Sequence, residues 1–272
     1  MKIRGARRTT GVASEFERRA ARAETLAAGA QAAEEPLRFA AGLYRAQARL
    51  AAFLGDAHAD EALTGHLDRD VGRFLDRVPE ILRYAADAGP GPLADEARAR
   101  SEDALETRRT RLLVYWAGDR SSREDYLSRA ALRPYAETLR ALTVPPDRMH
   151  TQGRCPFCAG FPWVSVRRGG SQMEGARRLL ACALCGAEWP FERILCPSCL
   201  ETDPRKLPSF SSEPHPSVRI EACETCRRYV KSLDLSEDAR PIPEVDDLVS
   251  LAMDLWALEQ GWERIEPGLA GV

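Results

Sequence analysis

The chain has 272 residues, of which 44% are hydrophobic and 29% are charged, and its formal net charge is −2. This length and composition are typical of a globular protein with one or two domains. The near-neutral charge argues against a strongly basic nucleic-acid-binding protein. The longest apolar runs, such as residues 112–117, are far too short for a membrane span, and we expect none.

The N-terminal half contains no cysteine and has the hydrophobic spacing of helices. Apolar residues recur at steps of three and four in two series, which are Leu37, Ala40, Tyr44, Ala48, Ala51 and Leu54, then Leu67, Val71, Phe74, Val78 and Ile81. Pro79 is expected to kink or break the second series. The spacing predicts an all-α helical domain over residues 1–145 whose apolar stripes form its core. Pro145 and Pro146 mark the boundary because neither continues a helix.

All eight cysteines lie in Cys-x-x-Cys pairs. The pairs are Cys155 with Cys158, Cys182 with Cys185, Cys196 with Cys199, and Cys223 with Cys226. They are separated by 23, 10 and 23 residues, so the first two pairs recur 41 residues later as the last two. Cysteines placed by chance would not give this spacing, which indicates a metal-binding unit that occurs twice.

Two thiolates separated by two residues can face one ion from a tight turn, and two such turns form a tetrahedral four-sulfur site. Such a site suits zinc or a single iron ion. The repeat predicts that site 1 consists of Cys155, Cys158, Cys182 and Cys185, and that site 2 consists of Cys196, Cys199, Cys223 and Cys226. A crossed arrangement, with the outer pairs together and the inner pairs together, remains open.

The residue after each cysteine pair bears on the geometry of the turn. Gly186 follows Cys185 and can adopt a positive φ at no cost. Ala159 and Leu200 stand at corresponding positions, with Gly160 one place after Ala159. We interpret them as variations of the turn that leave ligation intact.

Three other uses of the cysteines are weaker interpretations. Disulfides within the pairs would close loops too short to constrain the unfolded chain much. A redox pair of thioredoxin type needs one Cys-x-x-Cys at the start of a helix, not four pairs in register. An iron–sulfur cluster also takes four thiolates and remains open, although two symmetrical turns favour a single ion.

The environment of the thiols depends on whether the chain is exported. Arg7 and Arg8 are followed by Glu15, Glu17 and Arg18 instead of an apolar segment, so we expect no export signal. We therefore expect a cytoplasmic protein, whose thiols stay reduced and free to bind metal.

Short strand-like runs, such as residues 163–166 and 218–220, lie between the cysteine pairs. They predict two metal modules, over residues 151–190 and 191–235, each with the order knuckle, strand, strand and knuckle. From first to last cysteine a module has 31 residues. This is too small to fold through burial alone, so the metal is expected to supply the missing stability.

A C-terminal helix is predicted over residues 243–261, packing on the modules or on the helical domain. Its apolar stripe consists of Val245, Leu248, Ala252, Leu255 and Trp256. Asp246 and Asp247 place negative charge in its first turn, where it interacts favourably with the helix dipole. The alternative is that the two aspartates form an acidic surface that faces a partner. The predicted fold class is therefore α+β: an N-terminal all-α helical domain, two tandem metal modules of rubredoxin-like or zinc-ribbon-like type, and a C-terminal helix.

Nothing in the sequence indicates catalysis. The four histidines, which are His58, His66, His150 and His215, are scattered without a ligand or catalytic spacing. No glycine-rich phosphate loop or dinucleotide fingerprint is present. Closed four-thiolate sites leave no open coordination position for a substrate. We therefore predict that the protein is not an enzyme.

Five segments of the C-terminal half carry a resemblance to a known family. They are Cys155-Pro156-Phe157-Cys158, the segment from Cys182 to Trp189, Cys196-Pro197-Ser198-Cys199, Cys223-Glu224-Thr225-Cys226 and Asp246-Asp247-Leu248. In these segments the chain resembles the FdhE family, accessory proteins for the assembly of formate dehydrogenase. The resemblance covers residues 154–258 well and the preceding part only in general character.

The resemblance implies two rubredoxin-like modules, each with iron or zinc in its four-cysteine site. It also implies a cytoplasmic chaperone that binds the catalytic subunit of a respiratory formate dehydrogenase before export. Two alternatives remain open. A nucleic-acid-binding zinc-ribbon protein would need a basic face, although residues 151–231 carry only 12 basic against 8 acidic side chains. A rubredoxin-type electron carrier would leave the helical domain without a role.

Overall fold

The computed structural model describes residues 3–118, 124–169 and 177–271 of the chain, together with their side chains except those of residues 3–10 and Asp60. Everything stated below about the fold refers to these residues.

The described chain forms two compact units. The helical unit comprises residues 3–25 and 37–149, and the sheet unit comprises residues 26–36 and 150–271. The end of the first helix and the start of the second thus belong to the sheet unit, although both helices come from the cysteine-free half of the chain.

The helices of the N-terminal half follow one another with short connections. They are α1 (Ile3–Ala27), α2 (Glu34–Asp60), α3 (Leu67–Asp70), α4 (Val78–Ala88), α5 (Gly91–Ser101), α6 (Leu105–Ala117) and α7 (Tyr126–Leu142). Pro79 is the second residue of α4, and at this position a backbone N–H group would have no acceptor within the helix. The proline expected to break a helix therefore stands where one begins.

The core of the helical unit is built around α7, whose residues 127–139 are all buried. Both apolar series predicted from the sequence are buried as well, which confirms the predicted core. Within it, the Glu137 carboxylate accepts hydrogen bonds from Arg19 Nη1 at 2.9 Å and Arg133 Nε at 2.8 Å. Both guanidinium groups lie over the Phe16 ring. The buried charges are therefore paired, as burial of charge requires.

The sheet unit contains a seven-stranded sheet. Its strands are β1 (Pro162–Arg168), β2 (Arg177–Cys182), β3 (Glu188–Pro190), β4 (Ser209–Ser212), β5 (His215–Cys223), β6 (Arg228–Leu235) and β7 (Glu263–Arg264). The order is β3-β2-β1-β6-β5-β4, with β7 beside β6. Strands β1 and β6 are parallel, as are β6 and β7, and the remaining neighbours are antiparallel.

The 41-residue repeat is visible in this topology. β2 runs into Cys182 and β3 follows the second cysteine pair, while β5 runs into Cys223 and β6 follows the fourth pair. Each of these turns is therefore held between two antiparallel strands. The two halves meet where β1 pairs with β6, with Val164 opposite Lys231.

After the sheet, the chain forms α8 (Pro243–Asp246), a 3-10 turn (Asp247–Ser250) and α9 (Leu251–Glu259). An N-terminal helical region followed by a sheet-rich region with two four-cysteine clusters confirms the predicted fold class. The division into a domain of residues 1–145, two modules and a packed C-terminal helix stays a prediction. None of the described helices is long and apolar enough to cross a membrane.

Candidate metal centres

The eight cysteines form two quartets, each with all four sulfur atoms within 4.8 Å of one another. In site 1, Cys155 Sγ lies 3.6 Å from Cys185 Sγ, and Cys158 Sγ lies 3.4 Å from Cys182 Sγ. A disulfide would require about 2.05 Å. A tetrahedral ion with metal–sulfur bonds of about 2.3 Å places its sulfur ligands about 3.8 Å apart. The spacing therefore fits four sulfurs around one ion, and none of the cysteines is in a disulfide.

Site 2 has the same geometry 41 residues later in the chain. Cys196 Sγ lies 3.8 Å from Cys226 Sγ, and Cys199 Sγ lies 3.6 Å from Cys223 Sγ. The sulfurs thus meet in the sequential arrangement that the repeat predicts. Each quartet could hold one metal ion.

All four cysteine pairs lie in the same type of turn. The residue after each pair has a positive φ: 55° at Ala159, 66° at Gly186, 64° at Leu200 and 55° at Arg227. Its N–H group donates to the carbonyl of the first cysteine at 2.9 to 3.2 Å. The turn is therefore retained without glycine at three of the four positions, although a non-glycine residue there is strained by about 1–2 kcal/mol.

Backbone N–H groups of the turns point at the sulfurs. The N–H groups of Leu184 and Cys185 donate to Cys182 Sγ at 3.4 and 3.5 Å, and that of Ser198 donates to Cys196 Sγ at 3.4 Å. Hydrogen bonds of this kind stabilise the thiolate form, which is the form that binds metal.

Gly160 packs directly against site 1. A Cβ atom at this position would lie 2.7 Å from Cys182 Sγ and 3.2 Å from Cys158 Sγ. Its carbonyl accepts a hydrogen bond from the Cys155 N–H at 2.9 Å. The glycine is therefore required by the space that the ligand sulfurs occupy.

The two sites differ in exposure. The four cysteines of site 1 are 0% exposed. In site 2, Cys196 and Cys223 are buried, Cys226 is half-buried and Cys199 is exposed. Solvent thus reaches Cys199 and part of Cys226 in site 2, and none of the cysteines of site 1.

Burial also affects ionisation of the thiols. It raises the pKa of the Cys182 thiol and that of the Cys196 thiol well above the usual range. Without a cation these thiols keep their protons at neutral pH, whereas a bound cation displaces the protons and compensates the buried negative charge. The donor set therefore fits a thiophilic cation such as zinc or iron.

A second group of functional interest, which the sequence did not indicate, is a buried ionic cluster of five side chains. It consists of Tyr229 and Lys231 on β6, Asp247 in the 3-10 turn, Asp254 on α9 and Arg264 on β7. Each is at most 4% exposed. Two cations thus face two carboxylates, and the cluster ties α8–α9 and β7 to the strand that follows site 2.

Contacts within this cluster are close. Asp247 Oδ1 lies 2.9 Å from Arg264 Nη2 and 3.1 Å from Lys231 Nζ. Asp254 pairs with Lys231 and accepts from the Tyr229 hydroxyl at 2.8 Å. Burial opposes ionisation of Asp247, but the charges of Arg264 and Lys231 outweigh it and hold the pKa of Asp247 below its usual value.

The family models assign the cysteine region. Residues 154–193 match the model of the FdhE central domain, and residues 194–269 match that of the FdhE C-terminal domain. Over residues 154–269 the chain is thus similar to the FdhE family. The resemblance noted over residues 154–258 is thereby confirmed, and it extends through Arg264 of the ionic cluster.

Curated FdhE homologues align with part of the chain. The homologue from Aquifex aeolicus is 34% identical over 117 residues, which are 43% of this chain and 41% of that protein. The homologue from Pseudomonas aeruginosa is 34% identical over 119 residues, which are 42% of this chain and 38% of that protein. The aligned segment thus spans about two fifths of the length of these FdhE relatives.

The crystal structure of the FdhE protein from Pseudomonas aeruginosa shares the fold. It superimposes with a TM-score of 0.63 at 24% identity and covers 94% of each chain. This likeness in fold covers the helical unit as well as the sheet unit.

Proposed function

We propose that this protein is an accessory protein for the maturation of a respiratory formate dehydrogenase. The observation that supports this most directly is the pair of FdhE domains over residues 154–269 with both four-cysteine clusters intact. In this proposal the protein acts as a chaperone that binds the catalytic subunit in the cytoplasm before export.

We further propose that all eight cysteines are metal ligands, with one iron or zinc ion in each site. A closed four-sulfur site crosslinks two turns and stabilises the strands between them. With four sulfurs around each ion, no coordination position remains for a substrate, so the role proposed for the sites is to hold a fold that another protein recognises. The protein itself is then not an enzyme.

A protein partner suits the charge of the chain better than a nucleic acid. Residues 151–231 have only four more basic than acidic side chains, and residues 232–272 carry 2 basic and 10 acidic ones. Nucleic-acid-binding domains concentrate positive charge on one face. The reduced thiols that the sites require are maintained in the cytoplasm.

A deletion strain of the source organism tests the proposal. Formate dehydrogenase activity should be lost without the gene and restored by the wild-type gene. A variant with Cys155→Ser and Cys158→Ser should fail to restore it, whereas Arg240→Gln, a change at an exposed ion pair with Asp238, should restore it fully. Tagged wild-type protein, purified without oxygen, should co-purify the catalytic subunit. Intact activity in the deletion strain, together with no capture of the subunit, would contradict the proposal.

A further inference from the structure

A cavity of about 100 Å³ lies beside site 2 in the sheet unit. Four arginines from different segments line it, which are Arg167 on β1, Arg178 on β2, Arg193 before the third cysteine pair and Arg228 on β6. Cys196 and Cys223 of site 2 form another part of its wall. We call this cavity the basic pocket.

The basic pocket carries an excess of positive charge. Glu221 is the only carboxylate among its lining residues, so four arginines against one glutamate leave a formal charge of +3. A four-thiolate site with a divalent ion has a formal charge of −2. Pocket and site 2 together therefore remain positive, and the arginines do more than neutralise the metal site.

Part of the wall is fixed by internal contacts. Arg178 is only 5% exposed and donates to Glu221 Oε2 at 2.7 Å, to the Glu192 carbonyl at 2.7 Å and to the Leu195 carbonyl at 3.1 Å. Glu221 Oε1 also lies 3.5 Å from Arg167 Nη2. The Glu221 carboxylate is therefore engaged by Arg178 and Arg167, and Arg193 and Arg228 add their charge from the exposed side.

Size and chemistry indicate the ligand. A guanidinium group presents paired N–H donors that match a carboxylate or a phosphate. The cavity has several times the volume of about 30 Å³ that one water occupies in the liquid. It therefore has room for one such oxyanion group.

We propose that the basic pocket binds a single oxyanion, either a free inorganic anion such as phosphate or the carboxylate of an acidic side chain on a partner. Both sources share the same recognition chemistry. The inference does not depend on the function proposed above, because it rests on the lining of the cavity alone.

Isothermal titration calorimetry on the full chain, with its metal as purified and at constant low ionic strength, tests the proposal. The probes are sodium phosphate, sodium acetate and an end-blocked aspartate-rich peptide. A probe that fits the basic pocket should bind with a stoichiometry of one per chain. Arg167→Gln and Arg193→Gln should each weaken binding about tenfold, because each removes a charge-assisted hydrogen bond. Arg240→Gln, outside the pocket, should leave binding unchanged.

The outcomes separate the two sources. Phosphate binding tighter than the peptide, with this pattern of variants, supports a free inorganic anion. Peptide binding tighter than phosphate, with the same pattern, supports a partner's side chain. Measuring metal content alongside shows whether a variant has lost site 2. The proposal is overturned if no probe binds at millimolar concentration, or if Arg240→Gln weakens binding as much as the pocket variants do.

Discussion

Gly160 shows how a single backbone position controls a metal site. Its carbonyl accepts a hydrogen bond from the Cys155 N–H, while the space that a side chain would take is filled by the sulfurs of Cys158 and Cys182. Real Cβ atoms are not found 2.7 Å from a sulfur atom, so any larger residue must displace a ligand.

We predict that Gly160→Ala abolishes metal binding at site 1 and leaves site 2 loaded. Native mass spectrometry should then show one ion per chain instead of the two that the clusters can hold. Gly72→Ala is the matched control, since a Cβ at Gly72 meets nothing within 4 Å. Two ions per chain in Gly160→Ala would show that the site tolerates the displaced sulfur.

The two sites should also release metal at different rates, because their cysteines differ in exposure. Because Cys199 is exposed and all of site 1 is buried, a chelator or oxidant reaches site 2 first. We predict two phases of metal release, the faster from site 2. Two variants assign each phase to its site. Cys199→Ser should remove the fast phase, and Cys155→Ser should remove the slow phase. A single phase, or the reverse assignment, would contradict this difference.

At the scale of helices and strands, the buried ionic cluster joins elements through charged side chains instead of apolar ones. It connects β6 to the 3-10 turn, α9 and β7 through Lys231, Asp247, Asp254 and Arg264. Removing one member of a buried pair leaves a charge without compensation, which costs more than an exposed pair contributes.

We predict that Asp247→Asn lowers the free energy of unfolding by about 3–5 kcal/mol. Because the folded pKa of Asp247 lies below its usual value of 3.8, its contribution is fully present above that value. It is lost as the pH falls through the folded pKa. The difference between wild type and variant in denaturant unfolding should therefore be constant near neutral pH and shrink below about pH 4.

Glu263→Gln is the matched control, because Glu263 is an exposed carboxylate next to Arg264 in the chain. It should change the free energy of unfolding by less than about 0.5 kcal/mol. Equal losses in the two variants would mean that burial of Asp247 has no energetic consequence.

The C-terminal helix shows what periodicity could and could not predict. Val245 and Leu248 are buried as predicted, but Leu255 is 49% exposed, and α9 buries Met253, Asp254 and Ala257 instead. The 3-10 turn between α8 and α9 has about three residues per turn, so it shifts the phase of the stripe. Asp246 lies in the first turn of α8, as predicted, and Asp247 begins the 3-10 turn. The Asp247 carboxylate is not part of an acidic surface, because Lys231 and Arg264 pair with it in the interior.

For the whole molecule, spacing was the strongest signal. The cysteine repeat predicted both quartets because the two cysteines of each pair are local in sequence and the pairs recur at a fixed interval. The parallel pairing of β1 with β6 and the contact between the 3-10 turns Gln31–Ala33 and Asp247–Ser250 could not be predicted in the same way. Such contacts join residues remote in sequence, and their partners are chosen by tertiary packing that a single sequence does not display.

We propose that the stability of the sheet unit depends on a metal ion in each site. A structural four-thiolate site contributes about 10–16 kcal/mol at neutral pH, against about 5–15 kcal/mol for the net stability of a typical domain. We therefore expect the fold and the proposed accessory role to require both ions.

The most direct test is the metal content of the full chain after purification without oxygen, measured by native mass spectrometry together with elemental analysis. We predict two ions per chain, iron or zinc, with one ion lost when Cys155 and Cys158 are both changed to serine and the other when Cys196 and Cys199 are. Fewer than two ions in the wild type with all eight thiols reduced, or loss of both ions in either variant while the chain stays folded, would contradict this prediction.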